Sequence, residues 1–234
     1  ASELAARDGA VLQKVIVVEH LGRVSVPEGG KAVDCGPILT EPIDETWAGA
    51  MASVADADVE RLGAVEWGDA EDALFILYTS GSTGKPKGIL HTTAGYMTYA
   101  YQTTKMTFDA HSEGDVYWCT ADCGWITGHT YVLYGPLMNG ISSVFFEGVP
   151  TFPSPARTWE VTEKYGVTKL YTSPTLIRSL MACGEQHVKP HDRSTLQIIG
   201  TVGEPINPTA WKWLHNVVAE GNAAVVDTYW QTET

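Results

Sequence analysis

The sequence predicts an α/β fold in which largely parallel sheets are flanked by helices. Short apolar and β-branched runs recur along the chain, and helical stretches of about 8–14 residues separate them. Hydrophobic residues make up 44% and charged residues 18% of the 234 positions, which is typical of a globular protein with a substantial core. A chain of this length forms one large domain or two small ones.

Seven runs are predicted to be buried strands, because each is short, apolar or β-branched, and bounded by helical or turn-forming residues. In chain order they are Val15–Val18, Leu74–Thr79, Val116–Thr120, Ser143–Phe146, Lys169–Thr172, Leu196–Gly200 and Ala224–Tyr229.

Five segments between these strands are predicted to be helices. They are Ala94–Met106, Thr130–Met138, Ala156–Tyr165, Pro174–Cys183 and Pro208–Ala219. Three of them have a proline near the start (Pro155, Pro174 and Pro208), where the missing N–H has no intrahelical partner to lose.

The net charge of −13 is spread unevenly. Residues 41–72 hold ten acidic side chains and one basic side chain, Arg61, and so carry −9 of it. We interpret this segment as an acidic surface stretch and a possible seam between subdomains. The overall acidity argues against nonspecific binding to nucleic acid or to an anionic membrane, since both need basic patches. No protein partner is evident from the sequence.

Apolar residues within the acidic segment recur at near-helical spacing, as on a one-sided surface helix. They are Trp47, Met51, Val54, Val59 and Leu62.

Four cysteines are too few and too scattered for a disulfide framework. Cys119 and Cys123 are spaced C-x3-C without a second cysteine pair, so structural or incidental thiols are favoured over a zinc site. A reducing, cytoplasmic location is the simplest interpretation. The sequence has no apolar run of about 20 residues, as a membrane span requires, and no signal peptide at its start.

Four polar loops follow four separate predicted strands: Thr79–Gly88, Ala121–His129, Gly200–Pro205 and Asp227–Thr234. Ligands of open α/β sheets bind beyond the carboxyl ends of the strands. The four loops are therefore predicted to converge on one site.

The loop Thr79–Gly88 has the composition of a phosphate-binding loop. Its three glycines permit close backbone approach, so that consecutive N–H groups can point at one anion. Hydroxyl donors and two lysines suit it to a triphosphate. The residues that supply these groups are Thr79, Ser80, Gly81, Ser82, Thr83, Gly84, Lys85 and Lys87.

Two other interpretations of this loop are weaker. A mobile surface hairpin is improbable for a run of Gly, Ser, Thr, Lys and Pro after a buried strand. A Walker A loop needs four residues between its glycines and Ser or Thr after its lysine. Here Gly81 and Gly84 are separated by two residues, and Pro86 follows Lys85.

This loop resembles the signature phosphate loop of the adenylate-forming superfamily, which includes acyl-CoA synthetases, luciferases and peptide-synthetase adenylation domains. The remaining loops are similar to those of one branch, the AMP-forming acetyl-CoA synthetases, from about Val11 to the end. The resemblance implies that residues 1–234 are an internal part of the large N-terminal AMP-binding domain, without the C-terminal lid domain.

For the nucleotide, the resemblance implies that the segment after the last strand holds adenine and metal. Tyr229 would stack on adenine, Asp227 and Thr228 would lie near its edge, Thr232 would lie near the α-phosphate, and Glu233 would bind Mg²⁺. The remaining ATP contacts that it implies are Gly203, Glu204, Pro205, Trp230 and Gln231. Lys85, Lys87, Thr232 and Glu233 would be the catalytic group.

For the acid, the resemblance implies a pocket formed by Trp125, Ile126, Thr127, Val202 and Trp230. Members with longer substrates have a small residue in place of Trp230, so a C2 or C3 acid is expected. One methylene changes binding by about 1–3 kcal/mol, so propionate is expected to be a poorer substrate rather than an excluded one. Core packing is the ordinary role of a tryptophan and is the alternative for Trp125 and Trp230.

The resemblance gives Thr127 and Thr151 as contacts for coenzyme A, although bacterial relatives more often have Asn in place of Thr151. His129 is expected to be structural, because no nucleophile accompanies it and the substrate carboxylate is itself the nucleophile.

The implied activity is that of an acetate–CoA ligase, which uses ATP, Mg²⁺ and coenzyme A. Acetate attacks the α-phosphorus of ATP, and coenzyme A then displaces AMP from acetyl-adenylate. The family's adenylation lysine lies in the C-terminal domain, so these 234 residues alone are expected not to turn over. Acetate-dependent ATP–pyrophosphate exchange tests that expectation. The alternatives are a propionate or longer-chain acyl-CoA synthetase and a non-catalytic nucleotide-binding module.

Overall fold

The computed structural model describes residues 14–18, 43–79 and 84–234. Four residues of the predicted phosphate loop, Ser80, Gly81, Ser82 and Thr83, lie outside the described residues. The chain divides into two compact units, Ala1–Trp67 and Gly68–Thr234.

The described part of the first unit contains two short parallel strands and two short helices. Strand β1 (Val15–Val17) pairs with β2 (Asp44–Thr46), and helices α1 (Trp47–Ala52) and α2 (Asp56–Leu62) follow. The prediction of a single one-sided surface helix in this segment is wrong. Two helices form instead, and the five apolar residues of the pattern, Trp47, Met51, Val54, Val59 and Leu62, are all exposed.

The second unit begins with an antiparallel hairpin formed by β3 (Ala73–Thr79) and β4 (Lys87–Thr92), in which Thr79 pairs with Lys87. Two predictions are corrected here. Lys87 and Gly88 belong to a strand rather than to the loop, because they pair with Thr79 and Tyr78. The strand around Leu74–Thr79 is not buried on both sides, since Ile76 and Tyr78 are exposed.

A five-stranded parallel sheet follows, in the order β6, β5, β7, β8, β9. This confirms the α/β fold with a mostly parallel sheet flanked by helices. The strands are β5 (Val116–Cys119), β6 (Ser142–Ser143), β7 (Lys169–Thr172), β8 (Ile198–Thr201) and β9 (Ala224–Asp227). The predicted strand Ser143–Phe146 is shorter than expected, while the strand predicted at Leu196–Gly200 begins two residues later and ends one later.

Helices cover both faces of this sheet. The helices of the second unit are α3 (Thr93–Phe108), α4 (Ile126–Gly128), α5 (Gly135–Met138), α6 (Arg157–Tyr165), α7 (Pro174–Cys183) and α8 (Pro208–Trp213), with a 3₁₀ turn at Glu185–His187. Alternation along the strands builds the two cores. Trp118 and Leu170 pack in one core with α6, α7 and α8, whereas Tyr117 and Tyr171 pack in the other with Phe108 of α3.

Two predicted helices contain π-helical turns, at His129–Tyr134 between α4 and α5 and at Leu214–Val218 after α8. The first turn precedes Pro136, which has no N–H to donate to an earlier carbonyl. The helix predicted at Thr130–Met138 begins earlier than expected, at Ile126, and its winding changes before the proline.

Candidate functional site

The carboxyl ends of the parallel strands place three of the predicted loops on one edge of the sheet. The loop after β5 contains Trp125, the loop after β8 contains Gly203 and Glu204, and the segment after β9 contains Tyr229 and Glu233. The hydroxyl of Thr120 donates to Thr172 Oγ1 at 2.9 Å, which ties the end of β5 to that of β7. The predicted convergence of loops is therefore present for these three.

The hairpin reaches the same edge through its last described residue before the turn. Thr79 Oγ1 donates to Glu233 Oε1 at 3.3 Å. On the far side of the turn, Gly84 has φ +80°, a backbone conformation that suits glycine. The ammonium groups of Lys85 and Lys87 are exposed, and no carboxylate of the described residues lies within 4 Å of either. Both charges are therefore free for an anionic ligand.

The ends of β8 and β9 are cross-linked by side chains. Thr201 Oγ1 donates to Asp227 Oδ1 at 2.7 Å, and the other carboxylate oxygen accepts from the Ile206 backbone N–H at 3.4 Å. The hydroxyl of Thr228 donates to the Thr201 carbonyl at 2.7 Å. These hydrogen bonds therefore hold Asp227 and Thr228, the two residues that the resemblance implies for the adenine edge.

Beyond β9 the chain presents an exposed ring. Tyr229 is 81% exposed, so its ring is accessible to a stacking partner. A tight turn follows, in which the Gln231 N–H donates to Thr234 Oγ1 at 2.9 Å. This turn contains Thr232 and places Glu233 next to the hairpin.

Helix α7 anchors Glu204. This contact was not predicted from the sequence. Arg178 Nη2 donates to both carboxylate oxygens, at 2.9 and 3.1 Å, and the Thr175 hydroxyl donates to one of them. The hydrogen bond from Thr175, and then the one from Arg178, lowers the pKa of the Glu204 carboxyl. Gly203 beside it has φ +99°. Spacing in the sequence could not reveal this contact, because Arg178 lies 26 positions before Glu204.

A cavity of about 320 Å³ opens between the loop after β5 and the ends of β7 and β8. Its lining includes Trp125, Thr127, Tyr171, Val202 and Gly203. Three of the five predicted acid-pocket residues therefore meet in one cavity.

The other two predicted pocket residues lie elsewhere. Ile126 is 8% exposed and does not line this cavity. Trp230 lines an adjoining cavity of about 80 Å³ and packs against the core that contains Val202. Tyr171 lines both cavities and so lies between them.

Comparison with known proteins identifies the family of this chain. The family model described as AMP-binding enzyme matches residues 10–234. The chain belongs to the AMP-binding enzyme family.

Curated relatives of this AMP-binding enzyme are named acetyl-coenzyme A synthetase. One from Drosophila melanogaster is 53% identical over 97% of this chain and 33% of its own length. One from Brucella anthropi is 48% identical over 100% of the chain and 33% of its length, and one from Bdellovibrio bacteriovorus is 64% identical over 71% and 26%. The chain therefore spans a quarter to a third of the length of the relatives it matches.

His129 of this AMP-binding enzyme lies in an aromatic cluster under the hairpin. Its ring contacts Phe75 edge-on at a centroid distance of 5.7 Å, and Phe75 in turn packs against His91 and Tyr96. No Ser or Cys partner of His129 is present among the described residues. These contacts agree with the structural role expected for His129.

The two residues implied for coenzyme A are separated in the structure. Thr127 lines the 320 Å³ cavity, whereas Thr151 is half-buried in a turn after β6. Residues 145–150, just before Thr151, line a wider cavity of about 700 Å³ that shares Cys119–Asp122 with the smaller one. The two cavities are therefore adjacent.

The described side chains offer few grouped ligands for a cation such as Mg²⁺. No group of three or more His, Cys, Asp or Glu side chains in the described part of this AMP-binding enzyme could hold a metal ion. Mg²⁺ is usually held by one or two carboxylates together with substrate phosphates, so Glu233 beside Thr79 fits such a site. None of the described helices is long and apolar enough to cross a membrane.

Proposed function

We propose that this chain is the nucleotide- and acid-binding part of an AMP-forming acetate–CoA ligase. The names of the curated relatives and the matched AMP-binding model support this proposal. The observation that carries it is the hydrogen bond between Thr79 and Glu233, because it joins the phosphate hairpin to the segment with Tyr229. One site can then contact both ends of ATP.

In the first half-reaction, an oxygen of the acetate carboxylate attacks the α-phosphorus of ATP. The bond from that phosphorus to the β-phosphate bridging oxygen breaks, and pyrophosphate leaves with the electron pair. The chain's part in this step is positioning and charge neutralisation. Lys85 and Lys87, with the backbone of the hairpin turn, would neutralise the leaving phosphates, and Thr232 would bind the α-phosphate.

Nucleotide orientation would come from the carboxyl edge of the sheet. Tyr229 would stack on adenine, while Asp227 and Thr228, fixed by Thr201, would contact its edge. The loop containing Gly203, Glu204 and Pro205 would pass the ribose. Trp230 and Gln231 complete the segment that wraps the nucleotide.

Magnesium would be held by Glu233 together with phosphate oxygens of the substrate. When bound, Mg²⁺ supplies positive charge that neutralises the phosphates. Glu233 would also fix the hairpin through Thr79, whose hydroxyl it accepts.

Acid selection would take place in the cavity lined by Trp125, Thr127 and Val202. Trp230 would close its end through the shared wall at Tyr171, with Ile126 supporting the loop from the core. In the second half-reaction, the coenzyme A thiolate attacks the acetyl carbon and AMP leaves. Thr127 and Thr151 are the proposed contacts for coenzyme A.

The test is pyrophosphate release by the full-length protein with unbranched acids from C2 to C6. We expect the highest kcat/KM for acetate, a lower value for propionate, and little release with longer acids. In Trp230→Gly, acetate use should fall and butyrate use should rise. If the unsubstituted protein prefers propionate, it is a propionate ligase. If it releases no pyrophosphate with any acid, it is a non-catalytic nucleotide-binding protein.

We also propose a cytoplasmic location and no macromolecular partner. The three described cysteines, Cys119, Cys123 and Cys183, are free thiols, which suits a reducing compartment. A relative from Arabidopsis thaliana is named as chloroplastic/glyoxysomal, so an organelle is the alternative. Cell fractionation of the tagged full-length protein separates the two.

A further inference from the structure

Two tyrosine rings enclose Trp230. The Tyr99 ring on α3 stacks against it with a centroid distance of 6.3 Å and an interplanar angle of 28°. Tyr131, in the π-helical turn before α5, meets it edge-on at 5.2 Å and 89°. Both arrangements are ones that aromatic pairs prefer, at separations of about 4.5–7 Å. The indole is therefore held from two sides.

A single hydroxyl on α3 links the backbone at Tyr99 to the side chain of Tyr131. Thr103 Oγ1 donates to the backbone carbonyl of Tyr99 at 2.7 Å and lies 2.9 Å from the Tyr131 hydroxyl. A threonine hydroxyl has one hydrogen, so in the second contact Tyr131 is the donor. Tyr131 is also 5% exposed and packed in the core. The Tyr131 ring is therefore held by the packing around it, and its hydroxyl ties it to α3 through Thr103.

Little space is free behind the indole. The cavity of about 80 Å³ beneath it is lined by Tyr99, Tyr131 and Tyr171 as well as by Trp230. This volume is on the order of two to three water molecules. An acid too long for the 320 Å³ cavity must push Tyr171 toward this space, and Trp230, Tyr99 and Tyr131 line the other sides of it.

We propose that Tyr99 and Tyr131 are positioning residues that clamp Trp230 behind Tyr171, the wall that the acid cavity shares with the smaller cavity. Discrimination by acyl length then depends on the rings that back this wall rather than on Trp230 alone. With either tyrosine removed, the indole moves into the vacated space, Tyr171 loses its support, and the acid cavity lengthens. This inference rests on the proposed acid-activating function, because acyl selectivity is defined only for that reaction.

The experiment measures pyrophosphate release by the full-length protein with acetate and butyrate. In Tyr99→Leu, the ratio of kcat/KM for acetate to that for butyrate should fall about fivefold, as expected for one lost aromatic contact, with KM for ATP unchanged. Tyr131→Leu should act in the same direction, while Tyr131→Phe, which keeps the ring, should preserve the ratio.

The matched control is Tyr134→Leu. Tyr134 lies in the same π-helical turn as Tyr131, but its ring contacts Tyr96 rather than Trp230. This variant should leave the acid ratio unchanged. A fall in Tyr134→Leu equal to that in Tyr99→Leu would mean that general loosening is the cause, and it would overturn the clamp.

A double substitution separates a clamp from a structural effect. Residues that act through Trp230 lose their influence when it is absent, so Tyr99→Leu should not alter the acid ratio in the Trp230→Gly background. The same effect in both backgrounds would overturn the proposal. If Tyr131→Leu does not fold, Tyr99→Leu, at a half-buried position, decides the question. A wild type without activity overturns the proposed function and the clamp together, whereas an active wild type with unaltered variants overturns the clamp alone.

Discussion

Thr79 and Glu233 are 154 positions apart in the chain, and the hydroxyl of the first donates to the carboxylate of the second at 3.3 Å. Thr79 ends the first hairpin strand, and Glu233 lies beyond the last strand of the parallel sheet. This contact places a carboxylate at the mouth of the hairpin turn, where Lys85 supplies positive charge.

The first prediction concerns that carboxylate. Glu233→Gln keeps an oxygen that can accept from Thr79 but loses the negative charge. In the full-length protein, we expect kcat for pyrophosphate release to fall about a hundredfold and the Mg²⁺ concentration for half-maximal rate to rise. A magnesium titration at saturating ATP measures both. Thr79→Ala, which keeps the charge, should leave the magnesium requirement nearly unchanged, and an unshifted titration in Glu233→Gln would contradict the metal role.

Arg178 should affect nucleotide binding although it is not proposed to touch the nucleotide. Arg178→Ala removes one of the two side chains that anchor the Glu204 carboxylate, and we expect KM for ATP to rise about two- to fivefold, a small effect because the ion pair is partly exposed. Steady-state kinetics with varied ATP checks this. Arg157→Ala removes a similarly exposed pair with Glu160 on α6 and should leave KM for ATP unchanged.

Low pH should weaken the anchoring of the loop that contains Glu204, and it should do so within a defined pH range. The pKa of Glu204 is lowered from its ordinary 4.5, so the anchoring is complete above that value and is lost as pH falls through the lowered pKa. In Arg178→Ala one lowering cause is removed, and the loss should begin at higher pH. Titration of the Glu204 carboxyl by NMR in the two proteins measures the difference. Identical titration curves would contradict the assigned cause.

The end of the sheet opposite the proposed site contains a buried ion pair. This pair should affect stability and not substrate binding. Lys169 is 1% exposed, and its Nζ lies 3.5 Å from Asp115 Oδ1 and donates to Gln197 Oε1 at 2.7 Å. Lys169→Met leaves a buried carboxylate without its cation and should lower the free energy of unfolding by about 3–5 kcal/mol. Urea denaturation measures this. Lys169→Met combined with Asp115→Asn should be less destabilised, and a greater loss in the double variant would contradict the pairing.

Gly128 should control the position of the acid-binding loop. A Cβ atom at this residue would lie 2.1 Å from the Asp122 carbonyl oxygen and 2.6 Å from Cys123 Cα. Because both are backbone atoms, Gly128→Ala must displace the loop that holds Trp125. We expect KM for acetate to rise about tenfold and KM for ATP to change much less. Equal changes in both constants would mean that the glycine serves the fold as a whole.

Local signals in the sequence were sufficient for some elements. Strand β7 and helix α7 have the predicted bounds, Lys169–Thr172 and Pro174–Cys183. Between them, Ser173 accepts from the Leu176 N–H and Pro174 opens the helix, so a few adjacent residues determine both boundaries. The family resemblance rests on motifs that are equally local.

Other features depend on pairing between distant segments. Strand β4 was missed because Lys87–Thr92 is a strand only through its pairing with β3. The contact of Arg178 with Glu204 likewise joins separate elements. So do the ring contacts of Tyr99 and Tyr131 with Trp230. Sequence reasoning placed Trp230 directly in the acid pocket, whereas the structure puts it behind Tyr171.

Tyr171 would connect the two proposed substrate sites mechanically. The residue borders the proposed acid cavity, and its hydroxyl lies 2.7 Å from Thr228 Oγ1, which donates to the Thr201 carbonyl. The Thr228 hydroxyl thereby uses its one hydrogen, so Tyr171 is the donor. An acid that displaced this ring would also pull on the strand ends that are proposed to orient adenine. A carboxylate of the wrong size would thus misalign the nucleotide before the two could react.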